Sequence, residues 1–171
     1  MSSVRFLNEA ELLMQCRVDH YRGSGPGGQK RNKTSNAVRI VHSASGIEAT
    51  GTEDRSLSVN KLHAMRRLRL KLATELREEI DVSRFEPPDW FLSIRHENRV
   101  EASFRHEFYP ALIGLVLDLL KVMKGSPSDV ATMLGVSTTA IIKLLENEPQ
   151  AWTAANRIRA EMSLPALTHR R

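Results

Sequence analysis

The spacing of apolar residues changes once along this chain, near Ser58, and that change limits the fold more than any other feature. Before it, β-branched residues sit in short blocks bounded by turn formers. Ala37 to His42 (AVRIVH) is followed by Ser43-Ala44-Ser45-Gly46 and then by Ile47 to Thr50, so the pair predicts a β-hairpin. Upstream, Ala10 to Asp19 carries Leu12, Leu13, Met14, Cys16 and Val18. The alternation of Cys16 and Val18 with Arg17 and Asp19 predicts a short helix turning into a strand. After Ser58, Val59, Leu62, Met65, Leu68, Leu72 and Leu76 recur at spacings of three and four, as in one long amphipathic helix packed on the sheet. Helix and strands in separate blocks predict an α+β class.

The helical pattern cannot continue through RFEPPD, residues 84–89, because Pro87 and Pro88 lack an amide N–H and impose extended geometry on what precedes them. We therefore expect a first domain at residues 1–80, a linker at 81–107 and a helical module at 108–171. Within the module, Pro110 to Met123 reads as an apolar helix and SPSDVATMLGVSTTAIIKLLENEP has a helix-turn-helix outline. Ser128 is the expected cap of its first helix, Gly135 the turn and Ser137 the cap of its second. Ala151 to Met162 is the expected last helix.

Charge is unevenly distributed. Between Arg17 and Arg77, thirteen Lys and Arg face five acids, +8, whereas the whole chain is only +5. A basic first half without an amphipathic membrane-anchoring pattern points to a polyanion, most simply nucleic acid; the competing reading is a solvated basic helix face. One cysteine, Cys16, cannot form an internal disulfide and has no partners at zinc-ligand spacing. The N-terminal MSSVRFLNEAELL carries Glu9 and Glu11, unlike a signal or transit peptide, and the longest apolar run, Ala111 to Leu117, is too short to span a bilayer. A cytoplasmic protein without membrane partners is expected.

Between the two predicted strands lies RGSGPGGQKRNKTSN, with five glycines or prolines, which must be a loop. Gly-Gly-Gln alone means little more than a turn. Its setting is more specific: a strand, then SGPGGQ, NKT, AVRIVH, a glycine turn, a strand, Glu53-Asp54-Arg55-Ser56, and Asn60-Lys61 at the head of a basic helix. From about Arg17 to Leu72 this resembles the GGQ domain of class I peptide chain release factors and their stand-alone relatives, the ribosome rescue factors.

The resemblance implies hydrolysis of the ester joining a nascent peptide to tRNA, with Gly27, Gly28 and Gln29 as catalytic residues. The backbone N–H of Gln29 would face the developing oxyanion, and its side chain would shape the pocket so that water attacks. Two glycines give the backbone access to conformations closed to residues with a Cβ. A preorganised donor at an oxyanion is worth a few kcal/mol, roughly 3, in such chemistry. Lys30, Arg31 and Lys33 would touch RNA phosphates, and Ser24, Gly25, Asn32 and Thr34 would shape or line the same RNA-facing loop. The implied partners are the peptidyl transferase centre of the large ribosomal subunit, ribosomal RNA and peptidyl-tRNA. No cofactor or metal is implied, and the sequence offers no Ser-His-Asp set. His42 is expected to be structural, His20 and Asp19 to point to opposite faces of a strand, and Trp90 and Trp152 to serve in packing.

Three departures bear on how such a protein would be placed. The residues preceding the loop are too few for a codon-reading domain, so codon-independent release is expected. A compact helical module stands where rescue factors carry a basic tail, leaving only His169, Arg170 and Arg171 as a tail. Leu57 replaces the glutamine that commonly follows Arg-Ser. Two alternatives stay open: a catalytically silent GGQ-domain factor that binds ribosomes, and a helix-turn-helix regulator. Against the regulator, Ser137 to Asn147 offers Lys143 but also Glu146 and no Arg or Gln to read bases, so sequence-specific DNA binding is not expected.

Overall fold

A computed structural model describes residues 4, 7–22 and 36–168. The chain forms a mixed α+β fold in two compact units, Met1–Leu72 and Ala73–Arg171. In the first unit, α1 (Glu9–Met14) leads into β1 (Cys16–Tyr21), followed by β2 (Ala37–His42), β3 (Glu48–Gly51) and α2 (Leu57–Glu75), which ends just beyond the unit. Asn8 starts α1 with a reciprocal capping box: its side chain accepts from the Glu11 amide, and the Glu11 carboxylate accepts from the Asn8 amide, both at 2.9 Å. The strands form an antiparallel sheet of order β1-β2-β3, as the alternation of residue types predicts.

Strand β2 is central, and its pleat sorts its residues. Val38, Ile40 and His42 are buried, while Arg39 and Val41 are half-buried on the opposite face. The core of this unit collects Leu12, Val38, Ile40 and Ala49 with Ala64, Met65, Leu68 and Leu72 of α2. The buried stripe of α2 therefore differs from the expected one at Leu62, which is 39% exposed. At 3.6 residues per turn Leu62 lies about a third of a turn from the line through Ala64, Leu68 and Leu72. Asn60, a polar residue, is fully buried instead.

The second unit begins with the end of α2. A single 3-10 turn at Val82–Arg84 and α3 (Asp89–Ile94) follow, then a two-residue antiparallel pair, β4 (Arg95–His96) with β5 (Arg99–Val100). Four helices complete it: α4 (Tyr109–Val122), α5 (Pro127–Leu134), α6 (Thr138–Glu146) and α7 (Pro149–Glu161). Leu112, Ile113, Val116, Leu117 and Leu120 of α4 are buried together with Leu134, Ile141, Leu145, Ala155 and Ile158. The cap of α5 is Ser126, whose hydroxyl accepts from the Asp129 amide, rather than Ser128. Pro127 explains the shift: its fixed φ and missing N–H suit the first helical position, which puts the cap one residue before it. Gly135, at φ +65°, and Ser137 act as the sequence predicts. No single helix among the described residues is long and apolar enough to cross a membrane.

One charge is buried inside α4. Asp118, 2% exposed, accepts from the Arg77 guanidinium and from the Glu78 amide, each at 3.1 Å. Arg77 also donates to the Ala73 carbonyl. The pair ties the chain after α2 to a mostly apolar helix.

Candidate active site

Residues 22–36 join β1 to β2. Since Tyr21 and Ala37 are cross-strand partners, the connection leaves and re-enters the sheet at adjacent points. The candidate residues on it, Ser24, Gly25, Gly27, Gly28, Gln29, Lys30, Arg31, Asn32, Lys33 and Thr34, lie outside the described residues, as does the 169–171 tail. What the structure describes is the base that carries them.

The return end of that base is bolted at Asn36. The Asn36 side chain donates to the Arg55 carbonyl at 2.7 Å, and its own carbonyl accepts from the Asn60 side-chain amide at 2.8 Å. Asn60 donates a second time to the Asp54 carbonyl at 2.8 Å, and its oxygen accepts from the Asp54 amide at 2.9 Å. A buried amide left without partners costs about 1–3 kcal/mol; here both donors and the acceptor are used. The turn is further set by Asp54, which accepts from the Ser56 amide at 2.7 Å. Gly51 lets α2 come this close: a Cβ built there would overlap the Asn60 carbonyl oxygen and lie 2.8 Å from its carbon. Sequence reasoning quoted Asn60 and Arg55 only within the family pattern and missed Asn36 and Gly51 as elements of the base.

Electrostatics around the base are selective. Several cations expected to face a polyanion are held inside the unit. Arg67 donates to Glu53 and to the Thr50 carbonyl, both at 2.7 Å, Lys71 to the Glu48 carbonyl at 2.8 Å, and half-buried Arg69 to the Leu7 carbonyl at 2.7 Å. On β2, Arg39 pairs with Asp19 at 3.0 Å, and this hydrogen bond holds the Asp19 carboxyl below its ordinary value. Burial pushes the Glu53 carboxyl up, but the Arg67 hydrogen bond and the backbone amides of Thr52 and Glu53 outweigh it and bring it to about 2. Arg22, Arg55, Lys61 and Arg66 make no ion pair among the described residues.

The residues set aside as structural have structural surroundings. His42 is buried, with Nδ1 2.8 Å from Ser45 Oγ and Nε2 3.4 Å from Gln15 Oε1, and burial lowers its pKa. Among the described residues, no carboxylate pairs with it. Trp90 packs against Phe91 and Phe108, with ring centroids 6.2 and 5.6 Å away.

Similarity to known proteins covers the segment that carries this base. Residues 11–88 match the RF-1 domain. Peptide chain release factor 2 of Nocardia farcinica is 49% identical over 65 residues, which is 38% of this chain and 18% of that protein. Peptide chain release factor 1 of Rhodospirillum rubrum is 46% identical over 91 residues, 50% of this chain and 26% of its own length. The chain thus spans about a fifth to a quarter of these relatives. The RF-1 segment contains the three strands, α2, the whole Asn36–Asn60 base and every loop candidate from Ser24 to Thr34. Residues 89–171 lie beyond it.

Proposed function

We propose that this chain hydrolyses the peptidyl-tRNA ester at the peptidyl transferase centre of the ribosome, releasing the nascent chain. The observation that carries this reading is the position of Gly27-Gly28-Gln29 inside the RF-1 segment, between two strands whose ends meet at Tyr21 and Ala37. Water attacks the ester carbonyl, the tetrahedral oxyanion is met by the Gln29 N–H, and the ester bond breaks with the tRNA hydroxyl as leaving group. Lys30, Arg31 and Lys33 hold RNA phosphates, and no cofactor takes part.

The finer part of the proposal is that release is independent of a codon and takes place in the cytoplasm, as ribosome rescue requires. Its support is the helical unit, mostly outside the RF-1 segment, to which we assign placement on the ribosome. Helix α6 carries Lys143 as its one cation, so a contact with protein or RNA suits it better than reading bases in duplex DNA. The test is peptide release by the purified protein from ribosomes carrying peptidyl-tRNA and no stop codon. Gly28→Ala should lower the release rate about 100-fold or more while ribosome binding survives, the scale seen when an oxyanion donor is displaced. Full activity of Gly28→Ala, or wild-type release only at a stop codon, contradicts the respective half of the proposal.

A further inference from the structure

We infer that Asn36 and Asn60 are positioning residues for the hydrolytic loop, locking the chain at its return end, Asn36, to the turn before α2. The inference rests on the hydrolytic reading above. Asn36 is held twice, through its side chain to the Arg55 carbonyl at 2.7 Å and through its carbonyl to Asn60 at 2.8 Å. Asn60 is 0% exposed and joins Asn36 to both backbone groups of Asp54. A hairpin needs none of this for its own stability, since Tyr21 and Ala37 already close it and β2 is paired on both sides. Moreover, Gly51 brings the Asn60 backbone to a separation that no larger residue would permit. The effect is to remove the hinge that a single pair of strand ends would leave at Asn36. Catalysis by a backbone donor depends on such rigidity, because a misplacement of about 1 Å can cost about 100-fold in rate.

The experiment compares single-turnover peptide release at saturating protein with ribosome affinity and thermal unfolding, in the full chain. Asn36→Asp keeps size and shape but cannot donate to the Arg55 carbonyl. Asn60→Asp keeps the acceptor for the Asp54 amide and loses both donors. Asn36→Asp should slow release about tenfold or more with affinity changed less than about twofold, and Asn60→Asp should do at least as much. Arg39→Gln, which loses the Asp19 pair elsewhere in the sheet, is the control for general loosening and should leave release unchanged. Wild-type rates in Asn36→Asp overturn the inference. So does a loss of release no greater than that of Arg39→Gln at matched loss of stability. An inactive wild-type protein removes the hydrolytic reading and this one with it, whereas an active wild type with an equally active Asn36→Asp removes this one alone.

Discussion

Replacing Gly51 with alanine inserts one methyl group where the fold has no room for it. Gly51 ends β3 opposite Val38, and its missing Cβ would overlap the Asn60 carbonyl oxygen and lie 2.8 Å and 3.1 Å from the Asn60 carbonyl carbon and Cα. Carbon atoms in contact prefer about 3.5–4.0 Å, so from 2.8 Å the helix backbone must retreat by roughly 0.7–1.2 Å. No flexible side chain can absorb this, because every atom met is backbone. Overpacking of this kind costs about 1–3 kcal/mol, and the upper end applies because the retreat also stretches three hydrogen bonds of the Asn60 side chain. Gly46 is the internal contrast: its φ of +71° strains an L-residue, but a Cβ there meets nothing within 4 Å. Its alanine variant should cost about 1–2 kcal/mol from backbone conformation alone. Amide hydrogen exchange at Val38 and Ile40 reads the first unit without interference from the second. Exchange should accelerate about 100-fold in Gly51→Ala, and by less in Gly46→Ala. Protection in Gly51→Ala equal to that of the wild type would refute the close approach of β3 and α2.

Neutralising Lys30, Arg31 and Lys33 together should weaken ribosome binding and flatten the slope of log affinity against log salt by about 2–3, at roughly 0.7–0.9 per phosphate contact; an unchanged slope reassigns them to solvent. Because the Glu53 carboxyl is lowered from 4.5 to about 2 in the fold, the stability it contributes is complete above pH 4.5 and lost as the pH falls toward 2. Acid titration of Glu53→Gln should therefore show a shallower loss across that window, and an identical profile would contradict the Arg67 contact. Asp118→Ala should destabilise the second unit by about 3–5 kcal/mol, since it removes the buried carboxylate to which Arg77 and the Glu78 amide donate; urea unfolding measures it, and a change below about 1 kcal/mol would show the pair to be dispensable.

Alternation made β1 to β3 legible in the sequence, and helical spacing did the same for α2 and α4 to α7, because burial on one face leaves a periodic trace. The same signal misplaced Leu62, since a spacing of three from Val59 to Leu62 to Met65 satisfies a helical template without fixing where the buried stripe is centred. The burial of Asn60 was invisible for a different reason. An asparagine in a helix reads as solvated, and what buries it are backbone groups of Asn36 and Asp54, which leave no mark in composition. Asp118 inside a mostly apolar helix is the same case, met by Arg77 and the Glu78 amide some forty positions away. Between 81 and 107 the paired prolines dominate the pattern, and α3 and the β4–β5 pair are too short to show a period.

Net charge, finally, says less about a partner than the disposal of each cation does. The first unit carries thirteen Lys and Arg against six acids, an excess of seven. Arg17, Arg39 and Arg67 answer carboxylates, while Arg69 and Lys71 answer backbone carbonyls. These five hold the sheet, α1 and α2 together, and a phosphate that captured one would have to replace an existing partner. The cations without such a commitment among the described residues, Arg22, Arg55, Lys61 and Arg66, include two that flank the 22–36 connection directly: Arg22 opens it, and the Arg55 carbonyl fastens its end. Lys61 follows Asn60 on the same base. Lys30, Arg31 and Lys33 lie in the connection itself. Among the described residues, the cations left over for a polyanion are thus divided between the ends of the connection and its footing, Arg22 and Arg55, and helix α2, which carries Lys61 and Arg66.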